Sequence, residues 1–395
     1  MKSISCKPYP EANGNPPYSK SAMSNRILVG TRKGLFTLSR QNGSDWKIDS
    51  VDFLGDPVTI AMQDPRNGKR YAALKHGHFG VKLHRSDEAG SEWQEIDSPA
   101  YPPFPEGREP DRCPMRGIEI PWQLEQIWAL TPGGDDQPGR LWCGTIPGGL
   151  FKSDDHGESW SFVESLWNQP ERAHWMGGGY DYPGIHSICV HPEDSRTVTI
   201  AISCGGIWRT NDDGDTWSLI GQGLRADYAP DEETAYNPVA QDPHYMVQCR
   251  ESPDTFWVQH HNGIFKSSDG ARNFIEIEEA GPSVFGFPVA AHPQDPNTAW
   301  FAPAIKDELR IPKDGKLVIT RTRDGGESFD VLAKGLPQEH AYDLVYRHCL
   351  AIDDVGDCLA FGSTTGSLWA SDDQGDSWEN IATSLPPIYC VSFSD

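Results

Sequence analysis

The phrase Ser153-Asp154-Asp155-His156-Gly157-Glu158-Ser159-Trp160 recurs along the chain. Near copies lie at 210–217, 322–329 and 371–378, and weaker copies lie at 39–46, 86–93 and 267–274. A hydroxyl and a carboxylate two residues apart can hydrogen-bond the backbone of a tight turn, and Gly accepts the positive φ that such a turn often needs. Each copy is therefore predicted to form a hairpin turn, and seven copies indicate a repeat architecture.

Short apolar runs precede these turns, and an aromatic residue closes each one. Leu150-Phe151 and Leu368-Trp369 are two of the runs. The closing aromatics stand roughly 45–65 residues apart, which is room for four short strands and their connections, the size of one propeller blade. We predict an all-β fold, a seven-bladed β-propeller with four-stranded blades. Strands A to D run from the inside of each blade to the outside.

The first and last units are incomplete in complementary ways. Arg26-Ile27-Leu28-Val29-Gly30 begins directly as a B strand, and Ile388 to Phe393 is an A strand with nothing after it. A ring explains both, because the C-terminal strand would pair into the first blade and leave no exposed edge there. We therefore expect one domain over residues 26–395, preceded by a flexible N-terminal tail over residues 1–25.

Composition limits the partners and the compartment. The formal net charge of −23 argues against nucleic acid or an anionic membrane surface as a partner, since both attract clustered Lys and Arg. No apolar run approaches the roughly 18 residues of a membrane span. The nine Cys show no pair with metal-ligand spacing, and their odd number favours a reducing compartment. We expect a soluble, cytoplasmic protein.

The seven phrases resemble the Asp-box, or BNR, repeat of sialidases, sortilin-type receptor domains, xyloglucan-directed glycosidases and the photosystem II assembly factor. The whole chain from about residue 26 resembles the bacterial BNR-repeat proteins described as sialidase-like or glycosyl-hydrolase-like. That closer resemblance rests on residues 29–36, 285–288, 335–338 and 385–387. The resemblance implies the propeller. It leaves the chemistry open, because the repeat occurs in enzymes and in non-enzymatic binders.

Loop length distinguishes the two faces of the predicted disc. The D-to-A and B-to-C connections share one face, and they are long at 97–124, 164–184, 221–243 and 302–316. Long loops on a rigid scaffold commonly carry binding sites. We call this side the loop face, and we expect it to hold a small polar ligand, with carbohydrate as a candidate. The predicted ligand-binding residues are His76, His78, Phe79, Trp175, Tyr180, His186, His244, His260, His261, Arg310 and Tyr342.

Glycosidase-like hydrolysis or lyase action is a candidate reaction at this face. Hydrolysis needs two carboxylates about 5–10 Å apart, and the candidates on the loop face are Asp181, Asp227, Glu308 and Glu339. The sialidase resemblance would add an arginine triad and an early Arg-Ile-Pro phrase. Here Leu309-Arg310-Ile311-Pro312 lies late in the chain, which argues against true sialidase activity. The alternative is a non-catalytic scaffold or assembly factor that binds a protein partner.

A metal ion is a further candidate ligand of the loop face. His186, His244 and His261 are predicted to lie at strand ends near the axis, where imidazole nitrogens could bind a divalent metal. No phosphate loop or dinucleotide fingerprint indicates any other cofactor.

Overall fold

A computed structural model describes residues 23–41, 45–87 and 92–394. Its strands, in chain order, are β1 (Arg26–Thr31), β2 (Gly34–Ser39), β3 (Lys47–Asp52), β4 (Val58–Gln63), β5 (Arg70–Lys75), β6 (Val81–Ser86), β7 (Gln94–Ile96), β8 (Gln126–Pro132), β9 (Leu141–Ile146), β10 (Leu150–Ser153), β11 (Ser161–Phe162), β12 (Gly184–His191), β13 (Asp194–Ser203), β14 (Gly206–Thr210), β15 (Ser218–Ile220), β16 (Pro243–Gln248), β17 (Phe256–His260), β18 (Ile264–Ser267), β19 (Ile275–Ile277), β20 (Gly286–Ala291), β21 (Ala299–Pro303), β22 (Ile319–Thr322), β23 (Asp330–Leu332), β24 (Leu350–Ile352), β25 (Leu359–Gly362), β26 (Leu368–Ser371), β27 (Glu379–Ala382) and β28 (Ile388–Ser394).

Helical segments are short and lie in the connections. In the described residues they are two α-helices, α1 (Glu164–Trp167) and α2 (Glu232–Ala235), and four 3-10 turns at Gly77–Phe79, Pro170–His174, Pro238–Ala240 and Lys313–Gly315. Among the residues described, no helix combines the length and the apolar composition that crossing a bilayer requires.

The strands form seven antiparallel sheets of four, arranged as the blades of a ring. The innermost strands are β28, β4, β8, β12, β16, β20 and β24, and each of them except β28 begins its own blade in the chain. This arrangement confirms the predicted seven-bladed propeller.

The recurring turn is built by its hydroxyl and carboxylate, as its sequence predicts. The Ser153 hydroxyl donates to Asp155 at 2.7 Å and accepts the N–H of Gly157 at 2.9 Å. The second carboxylate oxygen of Asp155 accepts the hydroxyl of Ser159 at 2.6 Å. The first two of these bonds recur in the copies that begin at Thr210, Ser267, Thr322 and Ser371, with the N–H of Ala271 replacing that of Gly in the Ser267 copy. The phrases at 39–46 and 86–93 lie partly outside the described residues.

The last strand closes the first blade. β28 pairs antiparallel with β1, from Arg26 opposite Ser394 to Thr31 opposite Ile388. Ile388 is fully buried and Val391 nearly so, so closure also seals apolar surface. Most of the predicted tail lies outside the described residues, but the Ser24 N–H donates to the Asp353 carboxylate at 3.3 Å.

The hydrophobic core runs between neighbouring sheets. One cluster joins Ile27 of the first blade, Trp300 of the sixth and Phe361 of the seventh, and others join the remaining neighbours in turn. The eight cysteines in the described part of the chain are free thiols, and seven of them are buried. The innermost strands are therefore held in a rigid, packed ring. Their first residues lie at the loop face, close to the axis of the ring.

Candidate functional site

A buried carboxylate and two imidazoles meet at the loop-face ends of β16 and β17. Asp242 immediately precedes β16, His244 is its second residue, and His261 immediately follows β17. Asp242 Oδ2 lies 3.7 Å from His244 Nε2 and 3.5 Å from His261 Nδ1. All three donor atoms lie within 4.8 Å of one another. We call Asp242, His244 and His261 the axial triad.

The Asp242 carboxylate is fixed on one side only. Its Oδ1 accepts hydrogen bonds from the Ser203 hydroxyl and the Cys204 N–H, both at 3.2 Å. Burial by itself would raise the pKa of Asp242, but His244 and His261 hold that pKa well below its usual value. The carboxylate is therefore ionised, and Oδ2 faces the two imidazoles.

The two imidazoles differ in environment. His244 is buried, hydrogen-bonds the Gly286 carbonyl through Nδ1 at 2.7 Å, and stacks on Phe287 with ring centroids 4.5 Å apart. Burial lowers the pKa of His244 despite the nearby Asp242. His261 is 27% exposed; burial opposes its charge, but Asp242 raises the pKa of His261 above its usual value.

A buried guanidinium adjoins the triad. Arg347 is only 7% exposed, and its Nε–H donates to the His244 carbonyl at 2.6 Å. Its Cζ lies 4.4 Å from the centroid of the Trp128 ring. Within the described ranges no carboxylate pairs with it, and its Nη2 is buried without a hydrogen-bond partner. Burial lowers the pKa of Arg347 to about 10, although Asp242 partly opposes the shift.

His186 packs on the same Trp128 ring, with centroids 5.4 Å apart. Its Nδ1 lies 2.9 Å from the Ser187 hydroxyl, and its Nε2 is buried without a hydrogen-bond partner in the described part of the chain. Burial, together with the charge of Arg347, holds the pKa of His186 well below 6.5. The Arg347 guanidinium and the His186 imidazole therefore both lie beside Trp128, and each has a nitrogen with no hydrogen-bond partner among the described residues.

The glycine segment 177–179 lies against both Asp242 of the axial triad and Arg347. A Cβ added at Gly178 would lie 2.5 Å from the Ser203 hydroxyl and 3.1 Å from both Asp242 carboxylate oxygens. At Gly179 the nearest atoms are the Arg347 guanidinium nitrogens, at 3.5 and 3.6 Å. Only a residue without a side chain allows the backbone at 178 to approach Asp242 so closely.

The structure brings together some of the predicted ligand-binding residues. His244, His261 and His186 lie at the site, and Tyr180 packs on Trp128 with centroids 5.1 Å apart. His260 is fully buried; its Nε2 accepts the N–H of Asp242 at 3.1 Å, and burial lowers its pKa to about 3. His260 therefore supports the backbone of the triad instead of facing the mouth.

Other predicted residues lie farther out. Trp175 is 1% exposed and packs on Trp208 in the core. Arg310 is ion-paired with Asp307 and lies 5.2 Å from the Phe287 centroid. The remaining predicted residues lie on the loop face away from the triad: His76 and His78 beside Phe79, which is 70% exposed, and Tyr342, which lines an open groove of about 540 Å³.

The four carboxylates predicted as catalytic are all exposed and lie outside the triad. Asp181 pairs with Arg116, Asp227 with Arg225, and Glu308 with Lys306 at 3.3 Å. Glu339 stands on the exposed part of the connection between β23 and β24. Their catalytic role stays a prediction.

Three of the central residues, Asp242, Trp128 and Arg347, were not among those predicted at the site. Gln241-Asp242-Pro243 resembles Gln63-Asp64-Pro65, a turn on the opposite face. From sequence alone, Asp242 could therefore be assigned to the wrong face. The available signal is that Asp242 directly precedes an innermost strand. His186, which the sequence groups with His244 and His261 as a metal ligand, does not belong to the set of close donor atoms.

Comparisons with known proteins bear on the fold. No protein-family model matches the chain, and neither does any curated protein. Among solved structures, the GH74 xyloglucanase from Xanthomonas campestris matches with TM-score 0.59 and 17% identity, over 95% of this chain and 53% of that one. The periplasmic gluconolactonase of Pseudomonas aeruginosa matches with TM-score 0.56 and 10% identity, over 94% and 99%. YCF48 bound to D1 peptide matches with TM-score 0.50 and 13% identity, over 92% and 86%.

At these identities the likeness shows a shared fold. The chain spans about half the length of the xyloglucanase it matches.

Proposed function

We propose that this protein binds a small polar ligand bearing a carboxylate, of the sugar-acid class, at the loop-face mouth of the propeller channel. The observation that carries the proposal is Arg347, a buried guanidinium with no carboxylate partner among the described residues. An arginine fork matches a carboxylate with two parallel hydrogen bonds, and a guanidinium is more weakly hydrated than an ammonium group.

Energetics support an external partner for Arg347. Burying a charge without a counter-charge costs several kcal/mol, so an unpaired arginine persists where function requires it. One of its N–H groups is already used by the His244 carbonyl, and Nη2 has no hydrogen-bond partner among the residues that the structure describes. A bound carboxylate would supply the missing acceptor and neutralise the charge.

The surroundings suit the rest of a sugar. Trp128 and Tyr180 offer aromatic surface, and His186 Nε2 is an unsatisfied hydrogen-bonding atom beside the same ring. Aromatic surface with a few convergent polar groups is typical of sites for polar small molecules. The xyloglucanase and the gluconolactonase among the structural neighbours add support for a carbohydrate ligand.

Binding is supported better than hydrolysis. Asp181, Asp227 and Glu308 are exposed and ion-paired with neighbouring cations, whereas a glycosidase general acid needs an environment that raises its pKa. We therefore propose ligand recognition as the primary function and treat glycosidase-like hydrolysis or lyase action as secondary to it.

The test compares acids with their neutral parents. Glucuronate, galacturonate, gluconate and N-acetylneuraminate would be titrated into the protein by calorimetry, with glucose and galactose as uncharged controls. We expect at least one acid to bind about tenfold or more tightly than its parent, because a charge-assisted hydrogen bond contributes about 1.5–3 kcal/mol. Equal or absent binding of every acid and its parent would refute the proposal.

A protein partner is the second candidate function. Phe79 and Tyr342 are 70% and 61% exposed on the loop face, and large exposed aromatics are enriched where proteins bind one another. The neighbour YCF48, solved bound to a peptide, is consistent with such a use of the fold. In a pull-down from cell lysate, the wild type should retain a protein that a Phe79→Ser, Tyr342→Ser double variant loses, while the variant keeps sugar-acid binding. Equal retention by wild type and variant, or no retained protein, would remove this candidate.

A further inference from the structure

We propose that the axial triad of Asp242, His244 and His261 binds one first-row divalent transition-metal ion and leaves at least one coordination position facing the channel mouth. Two imidazoles and one carboxylate form a donor set that suits Zn²⁺ and Fe²⁺. This site goes beyond the sugar-acid proposal, since it uses different atoms and stands without it.

The spacing of the donor atoms fits one ion. Metal–nitrogen and metal–oxygen bonds of about 2.0–2.2 Å place neighbouring tetrahedral ligand atoms roughly 3.3–3.5 Å apart. The Asp242 Oδ2 to His261 Nδ1 and Asp242 Oδ2 to His244 Nε2 distances are 3.5 and 3.7 Å, and no pair exceeds 4.8 Å. Small side-chain rotations would bring all three onto a common ion.

The hydrogen bond of His244 presents its other nitrogen as a ligand. A carbonyl oxygen only accepts, so Nδ1 must carry the proton that it donates to Gly286. Nε2 is the other ring nitrogen, and it faces Asp242 Oδ2 at 3.7 Å. A metal ion placed between these two atoms would be bound by both. Metal-binding histidines are usually fixed by this kind of outer hydrogen bond.

The Asp242 carboxylate is also held in a fixed orientation. Its Oδ1 is occupied by Ser203 and the Cys204 N–H, so the plane of the carboxylate is fixed and Oδ2 alone remains for an ion. The Gly178 backbone packs against it too closely for any side chain at 178. Such support removes the entropy cost of ordering the ligand.

His261 gives the site its access. His244 and Asp242 have side chains only 4% and 5% exposed, whereas the His261 side chain is 27% exposed. A metal held by the three would thus meet solvent or a bound ligand on the His261 side. Three protein ligands and an open position are typical of reactive metal sites, while structural zinc sites are closed by four.

The rival explanation is a plain ion pair, with a protonated His261 beside Asp242 and no metal. The two explanations differ in stoichiometric metal binding and in the dependence of that binding on His244, which the ion pair does not require.

The test uses untagged full-length protein, stripped with a chelator and titrated with Zn²⁺ by calorimetry and with Co²⁺ by visible spectroscopy. We expect one Zn²⁺ per chain and Co²⁺ d–d bands whose intensity reports low coordination number. His261→Ala, which changes a partly exposed side chain, should weaken Zn²⁺ binding by at least about 100-fold. His174→Ala, an exposed loop-face histidine outside the triad, is the matched control and should bind normally.

Asp242→Asn and His244→Gln provide further arms, each checked for folding by its melting transition. If stripped wild-type protein takes up no Zn²⁺ or Co²⁺, or if His261→Ala binds as well as wild type, the metal site is refuted. Titrating glucuronate into stripped wild-type protein separates the two proposals, because sugar-acid binding there would stand even when metal binding fails.

Discussion

Replacing Arg347 by Met should weaken ligand binding and change the stability of the protein only slightly. Burial lowers the pKa of Arg347 from its usual value to about 10. At 1.36 kcal/mol per pKa unit, the buried charge costs the folded state about 3 kcal/mol at any pH below about 10. The substitution relieves that cost. It also loses one charge-assisted hydrogen bond, worth about 1.5–3 kcal/mol, and the cation–π contact with Trp128.

These contributions nearly cancel, so the free energy of unfolding should change by less than about 2 kcal/mol. Arg140 is the matched control, because it is also buried but pairs with two carboxylates, those of Asp154 and Asp213. Arg140→Met leaves those carboxylates uncompensated and should cost about 1–3 kcal/mol after allowance for the exposure of the two acids.

The assay measures urea unfolding and calorimetric binding of glucuronate for both variants. Loss of the arginine fork should weaken glucuronate binding about 10–100-fold in Arg347→Met and leave it unchanged in Arg140→Met. Two results would contradict the reasoning. One is a destabilisation of Arg347→Met equal to that of Arg140→Met, which would make Arg347 a structural residue. The other is full retention of glucuronate binding.

Three further predictions follow from the fold and the site. Removing residues 388–395 should abolish the cooperative melting transition in calorimetry, because β1 and its neighbours lose their innermost partner; an unchanged melting temperature would disprove closure of the ring. Gly178→Ala should weaken Zn²⁺ binding by displacing Asp242, whereas Gly179→Ala, whose Cβ meets nothing nearer than 3.5 Å, should not. Hydrogen bonds from Thr216 and Thr210 lower the pKa of Asp212 to about 2, below its unfolded value of about 4, so its stabilisation is present above pH 4 and is lost as the pH falls towards 2; the difference in melting temperature between wild type and Asp212→Asn should shrink over that range.

The fold could be predicted from the sequence because its signal is local and repeated. Each blade is marked by a turn whose hydroxyl and carboxylate bond within a few residues, as Ser153 and Asp155 do. Alternation of strands then fixes which loops share a face. Ring closure could be predicted because no A strand precedes Arg26 in the first blade and the A strand from Ile388 has no blade of its own. The structure pairs the strand from Ile388 with the strand from Arg26.

The site could be predicted only in part, because its contacts join residues that are distant in sequence. His244 and His261 were expected near the axis, but Arg347 bonds His244 across 103 positions. Asp242 and Trp128 gain their roles from burial and from the neighbouring blade, which no local pattern reports. Exposed carboxylates such as Asp181 and Glu308 were easier to propose because they lie on long loops, and long loops commonly carry binding sites.

The pairing of β28 with β1 bears on how the protein reaches its native state. These two strands lie almost the whole chain apart, so their contact is the most non-local in the ring and carries the largest loop-closure entropy. Until β28 docks, β1 presents an unpaired edge that can recruit another chain. The ring should therefore close late and slowly in refolding, and aggregation during refolding should compete with that one step and rise with protein concentration.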